Sequence, residues 1–191
     1  NVLAKQKELA SMTPETLMRI GKVLGGVKLN ISVGIDADMS SGMMANALMS
    51  GLLSVGTDVW YAGLVATPAL VHASKAMDLV ITVGSPDEVG NLSGISVYHN
   101  DGMPLSSAEV KAYMQRFKEQ GYVMQTFNRV GQMHRLLRVN ESYVSHIVRN
   151  IDCNNAPLVL DCGCGACSLC APQALARANC DTLCIGCHLD T

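Results

Sequence analysis

The sequence predicts an α/β fold, a three-layer α/β/α sandwich on a mixed sheet followed by an incomplete β-α-β unit. Three observations predict it. Short apolar runs of strand type alternate with helical patterns from Thr13 onward. Glycine and polar loops punctuate nearly every change of pattern. The chain is 49% hydrophobic and only 16% charged over 191 residues, enough for one full core and part of another.

The elements follow in order. Thr13 caps a first helix, Pro14 sits in its first turn and Glu15 favours the positive end of its dipole. Leu17, Ile20 and Leu24 share one face, and Gly25-Gly26 ends the helix. Leu29–Gly34 reads as a strand. A polar loop, Asp36–Ser41, leads into a second helix over Ser41–Val55, with Met44, Leu48 and Leu52 aligned and Ser40 or Ser41 as cap. Val59–Gly63 is a second strand. Thr67-Pro68 opens a third helix running to about Met77, and Leu79–Val83 is a third strand.

Gly84–Ser93 reads as loop and Ile95–Tyr98 as a further strand. Asn100-Asp101-Gly102 is a turn signal. Ser106–Gln120 is a fourth helix, expected to bury Val110, Tyr113, Met114 and Phe117. Glu141–Asp152 is a fifth. After the linker Asn154–Pro157 come strand Leu158–Leu160, a Cys/Gly loop, helix Pro172–Ala178 and strand Thr182–Ile185. A single β-α-β unit leaves sheet surface uncovered, so a partner chain or further domains are expected to complete it.

Bulk properties remove several function classes. The net charge is −2 with no long run of one sign, which gives no electrostatic footprint for nucleic acid. Aromatics make up only 4%, too few for base-stacking platforms. No apolar stretch approaches the ~20 residues of a membrane helix. Residues 1–8 carry no initiator Met and no apolar signal core, so a cytoplasmic protein is expected.

All eight cysteines fall in the last 39 residues, from Cys153 to Cys187. In a cytoplasmic chain that clustering points to metal or thiol chemistry before disulfides. Cys162, Cys164, Cys167 and Cys170 fill a loop ahead of a helix, where thiolates are favoured. Cys187 ends the next strand. Together these five form a candidate zinc or iron–sulfur ligand set. The alternative is that they are small buried residues, with Cys180 and Cys184 at helix-end and strand-core positions.

Several segments resemble the α-D-phosphohexomutases, the phosphoglucomutase, phosphomannomutase and phosphoglucosamine mutase family. They are Met12–Leu17, the strand-loop-helix at 31–55, Gly63–Ala69 against the family's G-L-V-P-T-P-A, Asn100–Gly102, and Tyr143–Asp152. Val159–Ala166 resembles the V-V-D-x-x-x-G-A that opens the family's second domain. Order and spacing agree over about residues 12–190. The resemblance implies domain 1 at residues 1–152 and a Cys-rich, incomplete start of domain 2 at 153–191. It further implies sugar-phosphate metabolism, a hexose phosphate ligand and magnesium in a complete member.

The chemistry-bearing positions depart from the family. Where the family has T-A-S-H-N-P, this chain has Thr82-Val83-Gly84-Ser85-Pro86-Asp87. Gly84 takes the place of the phosphate-carrying serine, and Ser85 is the nearest candidate acceptor. Asp87 and Glu88 beside it repel phosphate. Where the family has G-R-D-T-R-x-S-S, this chain has Gly34-Ile35-Asp36-Ala37-Asp38-Met39-Ser40-Ser41, so both arginines are gone. Asp36, Ser40 and Thr82 are candidate supports for the site; each also has a plain reading as a strand-end or capping residue. The family's D-G-D-G-D-R magnesium loop is not in these residues.

Three readings stand at this point. The chain is the N-terminal portion of a phosphohexomutase-family protein, not catalytically competent by itself. Or it is a non-catalytic binding or assembly module on that scaffold. Or the cysteines hold a metal and form the working site.

Overall fold

The computed structural model describes residues 13–84 and 94–189. The elements run α1 (Pro14–Leu24), β1 (Asn30–Ile35), α2 (Ser41–Ser54), β2 (Asp58–Leu64), α3 (Thr67–Ala73), β3 (Leu79–Gly84) and β4 (Gly94–Tyr98). Then come α4 (Ser107–Glu119), β5 (Met133–Arg135), α5 (Val139–Ile147), β6 (Pro157–Asp161), α6 (Ala171–Arg177) and β7 (Asp181–Ile185). Among the described residues, five strands make one sheet in the order β4-β3-β1-β2-β5, and β6 and β7 make another. β4 alone runs antiparallel to its neighbour, so the larger sheet is mixed.

Alternation along the strands assigns the layers. Ile31 and Val33 of β1, Val59 of β2 and Ile81 and Val83 of β3 pack with Leu17 and Leu24 of α1 and with Leu48 and Leu52 of α2. On the opposite face, Val80 packs with Ala69 and Leu70 of α3 and Val139 of α5. Each of the fully buried leucines and isoleucines contributes about 2 kcal/mol through burial. α1 and α2 approach closely: a side chain at Gly21 would strike the Leu48 carbonyl, and one at Gly51 the Met18 carbonyl.

α1 starts and stops as expected. Thr13 accepts from the Thr16 N–H at 3.2 Å, and Gly25 is the C-cap. α2 begins at Ser41 after Ser40, but neither serine caps it with its side chain. Ser40 Oγ donates to Asp38 Oδ1 at 2.8 Å, and buried Ser41 Oγ has no hydrogen-bond partner. α3 ends at Ala73, short of Met77, because Ser74 Oγ bonds back to the Leu70 carbonyl at 2.6 Å and tighter turns follow.

α4 has a capping box between Ser106 and Glu109. The expectation that its apolar face is buried is corrected for Val110 and Met114, which are exposed, while Tyr113 and Phe117 are half-buried and Tyr113 packs against the core. The helix lies on α1 rather than on the sheet, with the Arg19 guanidinium over the Phe117 ring at 4.3 Å. α5 runs from Val139 to Ile147, starting earlier and stopping sooner than its pattern suggested, after Arg138 in a left-handed conformation. β5 was not anticipated. Met133-His134-Arg135 has no apolar run and becomes a strand only by pairing with β2, where Trp60 stacks on His134 at 4.5 Å.

The β6-α6-β7 unit attaches through α5. Val144 of α5 packs with Cys170 and Ala174, and Arg177 donates to Ser145 Oγ at 3.1 Å. Cys153 and Cys180, neither of them in the candidate ligand set, form a disulfide. The segments leading into β6 and β7 run side by side: Cys153 N donates to Ala178 O at 2.6 Å and Asn155 N to Asn179 O at 2.8 Å. This pairing brings the two Cα atoms to 5.0 Å. No helix among the described residues is long and apolar enough to cross a membrane.

Candidate functional site

Strand order places the site. From β1 the chain moves to β2 on one side and then crosses to β3 on the other. The crevice outside the carboxyl ends of β1 and β3 lies at this reversal, where open α/β sheets take their ligands. A cleft of about 370 Å³ lies there. Its lining includes Asp36 after β1, Thr67 at the start of α3, and Thr82 and Gly84 on β3. Ser96 and Tyr98 of β4 add two hydroxyls, and Gly165-Ala166-Cys167 of the β6-α6 loop form the far wall.

Asp36 ties the two walls together. Its own N–H donates to Val83 O at 2.9 Å. Its Oδ1 accepts from Ala37 N at 2.8 Å and, 130 residues away in sequence, from Ala166 N at 3.4 Å. Asp36 is therefore more than a strand-end residue: it joins the larger sheet to the β6-α6-β7 unit. Asp38 turns inward to its own loop, where Oδ1 accepts from both the N–H and the Oγ of Ser40 at 2.8 Å.

The cleft's electrostatics are simple. Asp36 is the one charged side chain among the lining residues; the rest are hydroxyls, small groups and one thiol. A phosphate dianion placed here meets a carboxylate and no guanidinium or ammonium group of that lining. Gly84 is crowded as well, since a Cβ built on it would stand 2.7 Å from the Cβ of Asp36. A serine at that position requires Asp36 or its strand to move.

The structure gathers Asp36 and Thr82 around the cleft, while Ser40, just ahead of α2, is not among its lining residues. Ser85, Asp87 and Glu88 lie outside the described residues. The sequence reading missed Thr67, Ser96, Tyr98 and Gly165-Ala166 as lining residues, and it placed Cys167 in a metal set rather than on the cleft wall. The reversal of strand order carries that signal, but it appears only once pairing is known.

The five candidate cysteine ligands separate. Cys170 is buried against Val144 and Ala174 in an apolar cluster. Cys167 is exposed on the cleft wall. Cys164 Sγ lies 3.6 Å from His188 Nε2. Cys162 and Cys187 meet sulfur to sulfur at 2.9 Å, and Cys184 also stands beside Cys187. Among the described residues no group of three or more His, Cys, Asp or Glu side chains is arranged to hold a metal. The described residues thus do not fit zinc, an iron–sulfur cluster or magnesium.

For Cys162 and Cys170 the expectation that a helix N-terminus would favour thiolates is corrected. Burial, reinforced by Cys187, pushes the Cys162 thiol up to about 12. Burial likewise raises Cys170 and, with Cys187 beside it, Cys184. α6 is a short helix, and at Cys162 and Cys170 desolvation outweighs its dipole.

Residues 3–123 match the family profile described as phosphoglucomutase/phosphomannomutase, alpha/beta/alpha domain I. The chain belongs to this family. It is 29% identical over 175 residues to a probable phosphoglucosamine mutase of Methanosarcina acetivorans, covering 90% of this chain and 40% of that protein. It is 28% identical over 190 residues to the phosphoglucosamine mutase of Brevibacillus brevis, covering 92% and 42%. The phosphoglucomutase/phosphomannomutase family protein of Burkholderia thailandensis has a similar fold, with a TM-score of 0.80 at 21% identity over 93% of this chain and 41% of that one. The chain thus spans about two-fifths of the length of these relatives.

Proposed function

We propose that this chain is the N-terminal portion of a phosphohexomutase-type protein of sugar-phosphate metabolism, and that it does not carry out phosphoryl transfer by itself. One observation carries the reading: the cleft at the ends of β1 and β3 presents Asp36 and hydroxyls, with no cationic side chain in its described lining. Phosphoryl transfer depends mostly on positioning and on stabilising charge. A neutral-to-acidic cleft supplies hydrogen bonds to sugar hydroxyls but little to a phosphate.

In this reading the ligand is a hexose phosphate, and the names of the relatives make glucosamine phosphate the first sugar to try. Ser85 is the residue that would accept phosphate, with Asp36, Ser40 and Thr82 supporting the loops around it. Magnesium would come with further domains, and no step is assigned to it here. Domain 1 ends near residue 152 and a second, similar domain begins at 153.

The test is incubation with glucose, mannose or glucosamine 1,6-bisphosphate, read by intact mass, peptide mapping and a 1-phosphate to 6-phosphate assay. Unmodified Ser85 and no interconversion are expected. Phosphate on Ser85 or any turnover removes the non-catalytic part of the reading.

A specific observation favours an assembly role alongside this one. Val159, Leu183 and Ile185 leave apolar surface exposed on β6 and β7. A downstream segment or a partner chain that covers this surface would complete the unit. Size-exclusion chromatography with and without the natural downstream sequence distinguishes the two.

A further inference from the structure

β6 and β7 are parallel neighbours, with Asp161 opposite Ile185. Both chains leave the sheet at the same end. Cys162 N donates to Ile185 O at 3.1 Å, and two residues beyond Ile185 stands Cys187. The ladder thereby places two thiols side by side at the carboxyl ends of adjacent strands. Their sulfurs are 2.9 Å apart, roughly 0.9 Å more than a disulfide bond of about 2.05 Å. Cys187 Sγ is further oriented by the Ile185 carbonyl at 3.2 Å.

The two thiols differ in access. Cys162 is buried and Cys187 is partly exposed. Between Cys162 and the cleft wall lies a loop with Gly163 and Cys164 both at positive φ, 54° and 56°. The Cys164 N–H is held by the Gly186 carbonyl at 2.7 Å, so both strand exits are already tied together around the pair.

We propose that Cys162 and Cys187 form a thiol–disulfide exchange site that takes a low-molecular-weight disulfide of the oxidised-glutathione type. Cys187, the accessible thiol, attacks one sulfur of the small disulfide as its thiolate. That S–S bond breaks, one small thiolate leaves and takes up a proton, and a mixed disulfide remains on Cys187. Cys162 then loses its proton, attacks Cys187 Sγ and expels the second small thiolate, which is protonated in turn. The two cysteine thiols lose two electrons to the small disulfide, giving one Cys162–Cys187 bond and two small thiols. The product links the ends of β6 and β7 beside the loop that carries Gly165–Cys167.

The test is equilibration of the whole chain in oxidised and reduced glutathione mixtures, acid quench, alkylation and non-reducing peptide mapping. The expected result is loss of the mass of two hydrogens and a Cys162–Cys187 cross-linked peptide. It should form at lower oxidised-to-reduced ratios than lasting glutathione adducts on exposed Cys167. Cys187→Ser should trap neither this link nor an adduct on buried Cys162, and Cys162→Ser should leave a stable glutathione adduct on Cys187. A Cys184–Cys187 link instead, two independently alkylated thiols at every ratio, or stoichiometric zinc that shields both from alkylation overturns the proposal.

Discussion

In β1 and β3, Ile31, Val33, Val80, Ile81 and Val83 are fully buried; in β6 and β7, Val159, Leu183 and Ile185 stand 65%, 64% and 47% exposed. The residue types hardly differ. The surroundings do, because the larger sheet is covered on both faces by helices, whereas the smaller one has α6 and little else. Parallel strands need cover on both sides to use their apolar residues. The larger sheet therefore carries its own stability, while the β6-α6-β7 unit leans on α5, on the Asp36–Ala166 bond and on the Cys153–Cys180 disulfide.

The largest expected effect comes from the centre of the covered sheet. Leu48→Ala should cost about 4 kcal/mol, since Leu48 is fully buried among rigid neighbours. Urea unfolding followed by Trp60 fluorescence checks it, because this single tryptophan sits on β2. Gly51→Val should cost about 3 kcal/mol by forcing α2 away from the Met18 carbonyl. A tolerated valine there would mean that the two helices are not in close backbone contact.

Cys180→Ala tests the other side of the comparison. It should lower hydrogen-exchange protection in β6 and β7 by about 2 kcal/mol and leave the Trp60 transition in place. A shift of both together would show the two sheets unfolding as one unit.

A smaller effect concerns the seam between α3 and α5. His72 lies 4.5 Å from the His146 ring, and burial first, then the charges of His146, Lys75 and Arg149, hold its pKa below the ordinary imidazole value. The folded protein takes up this proton less readily than the unfolded chain. The contribution is therefore complete above the ordinary value of about 6.5 and is lost as pH falls below it. Melting temperature should drop from about pH 7.5 to about pH 5.5, and His72→Asn should flatten that slope. The smallest effect belongs to the uncovered strands: Leu183→Ser should change stability by no more than about 0.5 kcal/mol in this chain. A larger cost in a longer natural chain would show that the surface is covered there.

Much of this molecule was legible in residue order alone. Thr13-Pro14 and Gly25 bound α1, the alternation of apolar runs gives β1 to β4 and the layered class, and the loop motifs single out Asp36 and Thr82, which line one cleft in the fold. Other features had no local signal. Met133–Arg135 is a strand only because β2 offers an edge, and α4 stays largely exposed because it meets the rest of the fold mainly through α1 and Tyr113. The cysteine spacing suggested one cluster, but the parallel ladder of β6 and β7 sorted it differently. One pair became a disulfide, one became a facing dithiol, and Cys170 went into an apolar core.

The sequence by itself determined most of the helices, strands β1 to β4 and the lack of cationic residues in Gly34–Ser41 and Thr82–Asp87, because capping, periodicity and charge are properties of neighbouring residues. Only the tertiary structure decided which loops share the cleft, that Asp36 reaches Ala166, and which thiols touch. Those facts depend on strand order and register, which are set by pairing between residues far apart in the chain.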